Sequence, residues 1–158
     1  MQNQTIEIKN KVFFERVTIY NFRIYHGENI FNFGSNEKKS LNFIKTGNSG
    51  GKTTLLKAIL WCIWGGDILN KDLKDPEYIS KGGESIVNLI SDDKRCSVQI
   101  NLKINDQNLL LTRALNLNES TNESFNVKNL TKPIGEQDLT IKEATEFINK
   151  YFEKEYFA

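Results

Sequence analysis

The fold is decided by the stretch TGNSGGKTT (46–54), which follows LNFIK (41–45) and precedes LLKAILWCIW (55–64). Gly-Lys-Thr at 51–53 matches the end of the phosphate-binding pattern, which is a glycine, four residues, and then Gly-Lys-Ser/Thr. Counted back from that end, the first glycine of the pattern falls on Thr46, so the pattern is altered at its start. The small residues and the order of strand, loop and helix still predict a site for nucleotide phosphates.

A loop of this kind binds phosphate mainly through its backbone. Successive N–H groups point at the anion, which requires residues that tolerate unusual dihedral angles, and the helix N-terminus adds partial positive charge. Lys52 is the candidate catalytic residue, because its ammonium group serves the β- and γ-phosphates, and the Thr53 hydroxyl is the candidate metal ligand, for Mg²⁺. The residues of this loop predicted to bind the cofactor are Asn48, Ser49, Gly50, Gly51, Lys52, Thr53 and Thr54.

The same stretch has a purely structural alternative, a glycine-rich turn that only links a strand to a helix. Thr46 places a Cβ atom where a glycine normally eases the exit from the strand. We therefore expect a lower affinity for nucleotide, while Gly51 and Lys52 preserve the assignment of the loop.

The segments around the loop predict strands and one buried helix. Residues 12–22 are rich in β-branched and aromatic side chains and predict a strand that pairs as a hairpin with residues 28–33. The stretch 41–45 predicts a short, mostly buried strand. The apolar stripe of 55–63 predicts a centrally buried helix, which ends at the glycine pair 65–66.

Downstream of the helix, 67–94 reads as connections with one short helix near 84–90. Residues 96–104 alternate between apolar and polar side chains without error, which predicts a half-buried antiparallel strand. After a polar turn, 109–115 is its predicted hairpin partner, and 125–130 predicts a weaker strand.

The last predicted element is a helix that extends to about residue 152. Thr140 and Glu143 have the spacing of a capping box, in which each residue caps the other's backbone N–H. All the segments together predict an α/β (α+β) mixed sheet with antiparallel hairpins and a central helix that begins at the phosphate loop. The length fits one domain, or one large part of a larger domain.

Composition excludes several classes of protein. The chain has 158 residues, 39% hydrophobic, with 21 Lys+Arg against 20 Asp+Glu, so it can build a core and has no bulk positive field to steer a polyanion. No apolar run reaches the length of a membrane span, and the N-terminus is too polar for a signal peptide. Cys62 and Cys96 lie in apolar patterns and are expected to be buried thiols in a reducing compartment, the cytoplasm.

The chain resembles the N-terminal half of the head of SMC-like ABC ATPases, the group that contains the double-strand-break repair ATPases and the DndD proteins of DNA sulfur modification. The matching segments are VTIYNFRIYHGENIFNF (17–33), NFIKTGNSGGKTTLLKAILWCIWG (42–65) and the strand pair that ends in LLLTRAL (109–115). The resemblance is strongest over residues 12–66. The ending WCIWG (61–65) is most similar to the DndD-type branch.

This resemblance implies that 1–158 form an ATPase lobe whose other half lies beyond a long coiled coil. It implies ATP and Mg²⁺ as cofactors, and two heads that sandwich two ATP molecules and close a clamp on DNA. The implied partners are the C-terminal lobe, a second head, DNA through the complete complex, and nuclease or defence proteins, with no membrane. The implied roles are genome maintenance or anti-phage defence.

Two arginines match the family pattern. The resemblance places Arg23, of the "NFR" strand end, near the nucleotide phosphates, and the alternative for it is an ordinary surface arginine. Arg113 matches an arginine at the end of a lobe strand, for which we favour a structural role.

The motifs that complete an ABC ATPase are missing. LISDD (89–93) is too short and polar for a Walker B strand. ISKGGES (79–85) is only superficially similar to the LSGGQ motif and is expected to be a loop. Gln137 resembles a Q-loop glutamine but is expected to face solvent. Hydrolysis is therefore expected to need the missing lobe and a second head, and the chain alone is expected to be inactive or nearly so.

Other chemistries have little support. His26 is the only histidine, so a Ser/His or histidine metal site cannot be built, and it is expected in an exposed turn. Two alternatives to the ATPase lobe stay open, a non-catalytic module with a degenerate loop and the ATPase head of an OLD-type nuclease. The aromatic residues expected to serve core packing rather than base stacking are Phe13, Phe14, Phe22, Tyr25, Phe31 and Phe33.

Overall fold

A computed structural model describes residues 11–34, 42–45, 47, 50–119 and 123–152. The strands are β1 (Val12–Tyr20), β2 (Glu28–Asn32), β3 (Arg95–Ile104), β4 (Gln107–Asn116) and β5 (Glu123–Asn129). The helices are α1 (Lys52–Trp64), α2 (Pro76–Lys81) and α3 (Ile141–Tyr151), with a π-helical turn at Ile68–Asp72 and a 3₁₀ turn at Gly82–Ile86. None of the helices in these ranges is both long and apolar enough to cross a membrane.

The five strands form one sheet in the order β2-β1-β3-β4-β5, and every described pair is antiparallel. Local hairpins join β1 to β2 and β3 to β4, whereas the β1–β3 pair joins strands far apart in the chain. Everything between β2 and β3, including the phosphate loop and α1, therefore lies in the connection that spans this pair. The predicted α/β class, with its antiparallel hairpins and central helix, is confirmed.

The β3–β4 hairpin follows the predicted alternation. Ile100 of β3 lies between Val17 of β1 and Leu111 of β4, and all three side chains are fully buried. The buried face of β3 consists of Cys96, Val98, Ile100, Leu102 and Ile104, as the period of two predicts. Asn105 takes a left-handed φ of 53° in the tight turn, a conformation that asparagine tolerates.

Helix α1 lies against this sheet and fills the centre of the core. Trp61 is fully buried, and its ring lies 5.5 Å from that of Phe22, measured between centroids. The helix ends where predicted, at Gly65, which has a φ of 76° and donates its N–H to Trp61 O at 2.8 Å. The buried side chains of α1 are Leu55, Ala58, Leu60, Trp61, Cys62 and Ile63.

Arg113 serves this helix end, so its structural role is confirmed. Its Nε donates to the carbonyl of Cys62 at 3.0 Å, and its Nη1 pairs with Glu123 at 2.5 Å. The guanidinium also lies 4.4 Å from the centroid of the Phe125 ring. A cation at this position is favourable because the last carbonyls of a helix carry partial negative charge.

Both cysteines are free and buried, as expected. Burial raises the pKa of each thiol, Cys62 and Cys96, to about 12, so neither forms a thiolate near neutral pH. The aromatic prediction is confirmed for Phe22, which is in the core, and for Phe14, Tyr25, Phe31 and Phe33, which pack against it. Phe13 is half-buried and does not belong to this core group.

Two predictions about the connections are wrong. Residues 42–45 form no strand, and the Phe43 side chain is 87% exposed, because the sheet of the described residues offers this segment no neighbouring strand to pair with. The single helix expected near 84–90 is also wrong in position. Instead, α2 begins at Pro76 behind an Asp75 N-cap, and the 3₁₀ turn follows it directly.

Helix α3 confirms the predicted capping box. Thr140 accepts the N–H of Glu143 at 3.3 Å, and the Glu143 carboxylate accepts the N–H of Thr140 at 2.8 Å. Ala144, Ile148 and the following Phe152 are buried against the core, but Ile141, which begins the predicted stripe, is 84% exposed.

Candidate functional site

The phosphate loop leads directly into the N-terminus of α1. Gly51 is the N-cap of the helix, with a φ of 83°, and the first turn contains no acidic residue. The first N–H groups of a helix have no acceptor within the helix, so together with the helix dipole they favour an anion. This helix start therefore has the polarity and backbone geometry of a phosphate site.

Gly51 cannot be replaced without strain. A Cβ atom at this position would lie 2.5 Å from the Tyr25 hydroxyl, 2.9 Å from the ring carbon that bears it, and 3.1 Å from the Ile24 side chain. The left-handed φ adds a second penalty for any residue with a side chain. The requirement for glycine here is thus set by a specific neighbour as well as by the backbone.

Tyr25 is a site residue that the motif did not reveal. Its hydroxyl donates to the carbonyl of Gly51 at 2.9 Å, the same carbonyl that accepts the N–H of Leu55 at 2.8 Å. Its ring lies edge-on to Phe31, with centroids 5.6 Å apart. Burial raises the pKa of Tyr25, which keeps the hydroxyl protonated as a donor. Tyr25 thus fixes the last glycine of the loop to the turn after β1.

The remaining loop residues are placed in part. Lys52 Nζ donates to Gly47 O at 3.2 Å, and Gly50 donates its N–H to the same carbonyl at 3.1 Å. The side chains of Lys52 and Thr53 are exposed, and Thr54 is half-buried. The predicted site residues Asn48 and Ser49, and the altered first position Thr46, lie outside the described residues.

Arg23 is held in the turn after β1 by an unusual backbone. It has a left-handed φ of 53°, its N–H donates to Ile86 O at 2.8 Å, and its carbonyl accepts a hydrogen bond from the Asn88 side chain. The side chain is only 8% exposed and pairs with Asp75 at 2.8 Å. The alternative of a surface arginine is therefore wrong, while the predicted approach to phosphate stays a prediction.

Asp75 is the buried partner of Arg23, which the sequence did not reveal. It is 1% exposed, its Oδ1 caps α2 by accepting the N–H of Glu77 and of Tyr78, and its Oδ2 lies 2.7 Å from Lys57 Nζ. Burial alone would raise its pKa, but the hydrogen bonds from Lys57 and the Tyr78 backbone and the charge of Arg23 outweigh it and lower the pKa. The carboxylate is therefore ionised at neutral pH.

A hydrogen-bond network fixes the turn that carries Arg23 and Tyr25. Asn21 accepts the N–H of Gly27 at 2.7 Å, and its amide donates to Ser91 Oγ at 2.7 Å. Asp93 accepts from the Tyr20 hydroxyl at 2.8 Å and from Ser91 at 2.5 Å, and the bond from Ser91 is the largest cause that lowers the pKa of Asp93. Asp93 therefore has a structural role here, in agreement with the rejection of LISDD as a Walker B strand.

The other residues with a resemblance to motifs have ordinary environments. ISKGGES (79–85), expected to be a loop, instead forms the end of α2 and most of the 3₁₀ turn. Gln137, expected to face solvent, is half-buried and donates to Lys132 O at 3.2 Å. His26 is exposed, as expected. Within the described ranges no three His, Cys, Asp or Glu side chains cluster as a metal site, so Thr53 remains the predicted ligand for a metal that phosphates bring with them.

An open groove of about 360 Å³ lies away from the loop. Glu84, Lys94 and Leu117 are among the side chains that line it. Among the described residues, none of the predicted site residues lines this groove.

Comparison with known proteins adds one finding. A family model described as an AAA domain matches residues 16–156, well over half of the chain. The match begins within β1 and ends beyond α3, so it includes Arg23, the phosphate loop and the whole of α1. No curated protein matches the sequence.

Proposed function

The chain belongs to the AAA domain family, and on that premise we propose that it binds ATP with Mg²⁺ as the N-terminal lobe of an SMC-like ATPase head. Family membership supports a nucleotide-binding ATPase domain in general. The observation that carries the proposal is the start of α1, where a left-handed Gly51 is followed at once by Lys52 and Thr53. The finer identification with the repair or DndD branch rests on the resemblance over residues 12–66.

Each loop residue has a distinct task in this proposal. The N–H groups of 51–54 would point at the phosphates, Asn48 and Ser49 are the further predicted contacts, and the Lys52 ammonium and the Gly50 N–H would exchange the Gly47 carbonyl for phosphate oxygens. The Thr53 hydroxyl would hold Mg²⁺, which would supply positive charge to neutralise the phosphates. Tyr25 supports the loop from behind by its bond to Gly51.

Hydrolysis requires groups that these 158 residues do not contain, a Walker B carboxylate and a signature motif. We propose that the C-terminal lobe of the same head and a second head supply them, so that this chain alone binds nucleotide but turns it over poorly or not at all. Apolar side chains exposed near the loop support such a partner, among them Ile24, Phe43 and Leu56, which are 59%, 87% and 52% exposed.

The proposed setting is genome maintenance or anti-phage defence, with DNA bound by the complete complex rather than by this lobe. A net charge of +1 supports that division, because the lobe has no bulk positive field of its own. Nuclease or defence proteins are the further partners proposed. The two free, buried thiols support a reducing compartment such as the cytoplasm.

The test is a calorimetric titration of Mg-ATP into the wild-type chain and the Lys52→Ala variant. We expect wild-type binding and a loss of at least about tenfold in affinity, which corresponds to about 1.4 kcal/mol, in the variant. Lys71→Ala is the matched control, because Lys71 is an exposed lysine, 68% accessible, on the π-helical turn. Equal affinities of wild type and Lys52→Ala would contradict the proposal.

Thr46 favours a second candidate, a non-catalytic module whose loop has lost its ligand. In that case Mg-ATP would bind neither wild type nor variant, and Thr46→Gly would restore binding only if the remaining loop is intact. The head of an OLD-type nuclease is a further alternative, because it has the same order of strands and phosphate loop. In a longer gene product, an acidic metal-binding cluster after residue 158 would favour the OLD-type head, and coiled-coil heptads would favour the SMC-like head.

A further inference from the structure

Three segments of the chain meet in one buried group of charges, here called the Arg23 cluster and made of Arg23, Lys57 and Asp75. Arg23 Nη2 lies 2.8 Å and Lys57 Nζ 2.7 Å from the same oxygen, Oδ2 of Asp75. The side chains are 8%, 22% and 1% exposed, respectively. The cluster thus ties the turn after β1 to α1 and to the start of α2.

The charges of the cluster do not balance. Two cations share one buried carboxylate, and the next acid, Glu77, is 67% exposed and 3.8 Å from Arg23 Nη1. The hydrogen-bond geometry of Arg23 is also incomplete, since among the described residues its Nε and Nη2 have no aligned partner. The contact between Arg23 and Asp75 is therefore an ion pair without the paired hydrogen bonds that a guanidinium makes to a well-placed anion.

One cation of the cluster, Lys57, belongs to the second turn of α1. Lys57 follows Thr53 by four residues on the helix, so the two side chains share a face, and helical side chains lean towards the N-terminus. On the other side, Tyr25, two residues after Arg23, contacts Gly51 at the helix start. Both cations are therefore attached to the elements that frame the phosphate loop.

We propose that Arg23 and Lys57 form an anion subsite of the nucleotide site, and that Asp75 occupies this subsite until a phosphate group takes its place. The proposal rests on the proposed function and extends it, because neither Lys57 nor Asp75 belongs to the loop motif. A phosphate offers Arg23 the several oxygens that its planar donors match, which Asp75 does not provide. Asp75 retains the N–H groups of α2 through Oδ1, so its carboxylate keeps partners when the cations turn away.

Competition by Asp75 lowers the apparent affinity for nucleotide. Only molecules in which Arg23 and Lys57 have left Asp75 can contact the phosphate with both side chains. If about one molecule in ten has released them, the apparent dissociation constant is about tenfold higher than the intrinsic one. Removal of the charge of Asp75 therefore strengthens binding, whereas removal of Lys57 weakens it. A merely structural Asp75 would affect stability but leave the affinity of folded molecules unchanged.

Asp75→Asn and Lys57→Met are the variants that test the proposal. Asparagine caps a helix about as well as aspartate, so Asp75→Asn retains the start of α2 while it removes the negative charge. Methionine retains most of the length and the apolar stem of Lys57. Lys71→Met is the control that matches the loss of one positive charge at an exposed lysine.

The probes are Mg-ATP and inorganic tripolyphosphate, titrated calorimetrically into the full chain after folding has been verified by circular dichroism. We expect Asp75→Asn to bind both probes at least about threefold more tightly than wild type, and Lys57→Met to bind both at least about threefold more weakly. Lys71→Met should match wild type. A gain for tripolyphosphate as well as for Mg-ATP would show that the subsite recognises phosphate rather than the base or sugar.

The two proposals fail in different ways. If wild type binds Mg-ATP and Lys52→Ala does not, but Asp75→Asn binds no more tightly than wild type and Lys57→Met no more weakly, the subsite is overturned and the proposed function stands. If wild type binds neither probe, both are overturned. Should Asp75→Asn not fold, Lys57→Met alone decides, because unchanged affinity in that variant overturns the subsite.

Discussion

The β3–β4 hairpin and the Arg23 cluster are both buried, but burial serves them in opposite ways. In the hairpin, apolar side chains such as Ile100 and Leu111 lose contact with water and gain dispersion contacts, so burial stabilises the fold directly. In the cluster, burial removes water from charges and leaves Arg23 donors without aligned partners. The hairpin thus stabilises the domain directly, while the ion pairs of the cluster have to offset the cost of removing their charges from water.

Backbone strain follows the same division. The two strands of the hairpin have regular geometry. Between Arg95 and Asn116 the only residue with a left-handed φ is Asn105, in the turn. On the site side, Arg23 has a positive φ that an arginine rarely adopts, whereas Asn21 and Gly51, which also have positive φ values, are residue types that tolerate it. Strained residues persist where the surrounding contacts over-determine them, which is common at binding sites. This difference predicts that mutations in the core change stability alone, whereas mutations at the site change stability and affinity together.

The largest expected effect is that of Trp61→Ala, which truncates a buried residue of α1 in the apolar core. Loss of this fully buried ring should lower the free energy of unfolding by about 3–5 kcal/mol, measured by urea denaturation. Ile134→Ala is the control, because Ile134 is 96% exposed and its truncation should change stability by less than about 0.5 kcal/mol. A comparable loss in both variants would contradict this placement of the core.

Acid should remove the stabilising contribution of the ion pairs in the Arg23 cluster, whereas the apolar contacts of the hairpin do not depend on pH. The folded-state pKa of Asp75 is lowered from 3.8, so its ion pairs contribute fully above that value and are lost as the pH falls through the lower, folded-state pKa. The charged groups that face Asp75 are Arg23, Lys57 and, at the surface, Glu77.

Urea denaturation of wild type and Asp75→Asn over this range measures the effect. Near neutral pH, the broken pair should make the variant less stable by up to about 3–5 kcal/mol. That difference should shrink below pH 3.8 as the wild-type carboxylate becomes protonated. A difference that is constant from pH 6 to pH 3 would show that the charge of Asp75 does not stabilise the fold.

Gly51→Ala sharpens the comparison at the loop. The left-handed φ and the contact with the Tyr25 hydroxyl should lower stability by about 1–3 kcal/mol and should abolish measurable Mg-ATP binding, because the start of α1 must shift. Gly34→Ala is the control, since no atom of the described residues lies within 4 Å of an added Cβ there. Retention of wild-type affinity in Gly51→Ala would break the link between this glycine and the phosphates.

The smallest expected effect belongs to Thr140→Ala, which removes one half of the capping box of α3. A loss of about 1 kcal/mol is expected in urea denaturation, with no change in Mg-ATP affinity, because α3 packs on β5 rather than on the loop. Thr145→Ala, at an exposed position within the same helix, is the matched control. A change in affinity in Thr140→Ala would show that the two sides of the molecule are coupled.

The sequence was sufficient wherever burial follows a local period. The alternation of 96–104 predicted which face of β3 is buried, and the apolar stripe of 55–63 predicted α1 and its end at Gly65. The segment 42–45 forms no strand although its sequence predicts one, because a strand also needs a neighbour to pair with, and that neighbour is not encoded in the segment itself. The Asp-Pro pair at 75–76 is a helix start signal that would have predicted α2.

The site could be predicted only in its loop. Gly51, Lys52 and Thr53 form a contiguous motif, which sequence reasoning recognises, whereas Tyr25 and Asp75 reach the site from distant parts of the chain. No periodicity or spacing links such residues, and buried charges give no hydrophobic pattern. The contact of Tyr25 with Gly51 and the shared carboxylate of Asp75 therefore required the folded structure.

The most direct test of the central claim is a two-dimensional ¹H–¹⁵N NMR titration of the full chain with Mg-ATP. If the start of α1 holds the phosphates, the amide signals of residues 47–54 should shift most, and those of the β3–β4 hairpin should remain in place. Shifts confined to the groove around Glu84 and Leu117, or no shifts at millimolar nucleotide, would contradict the account.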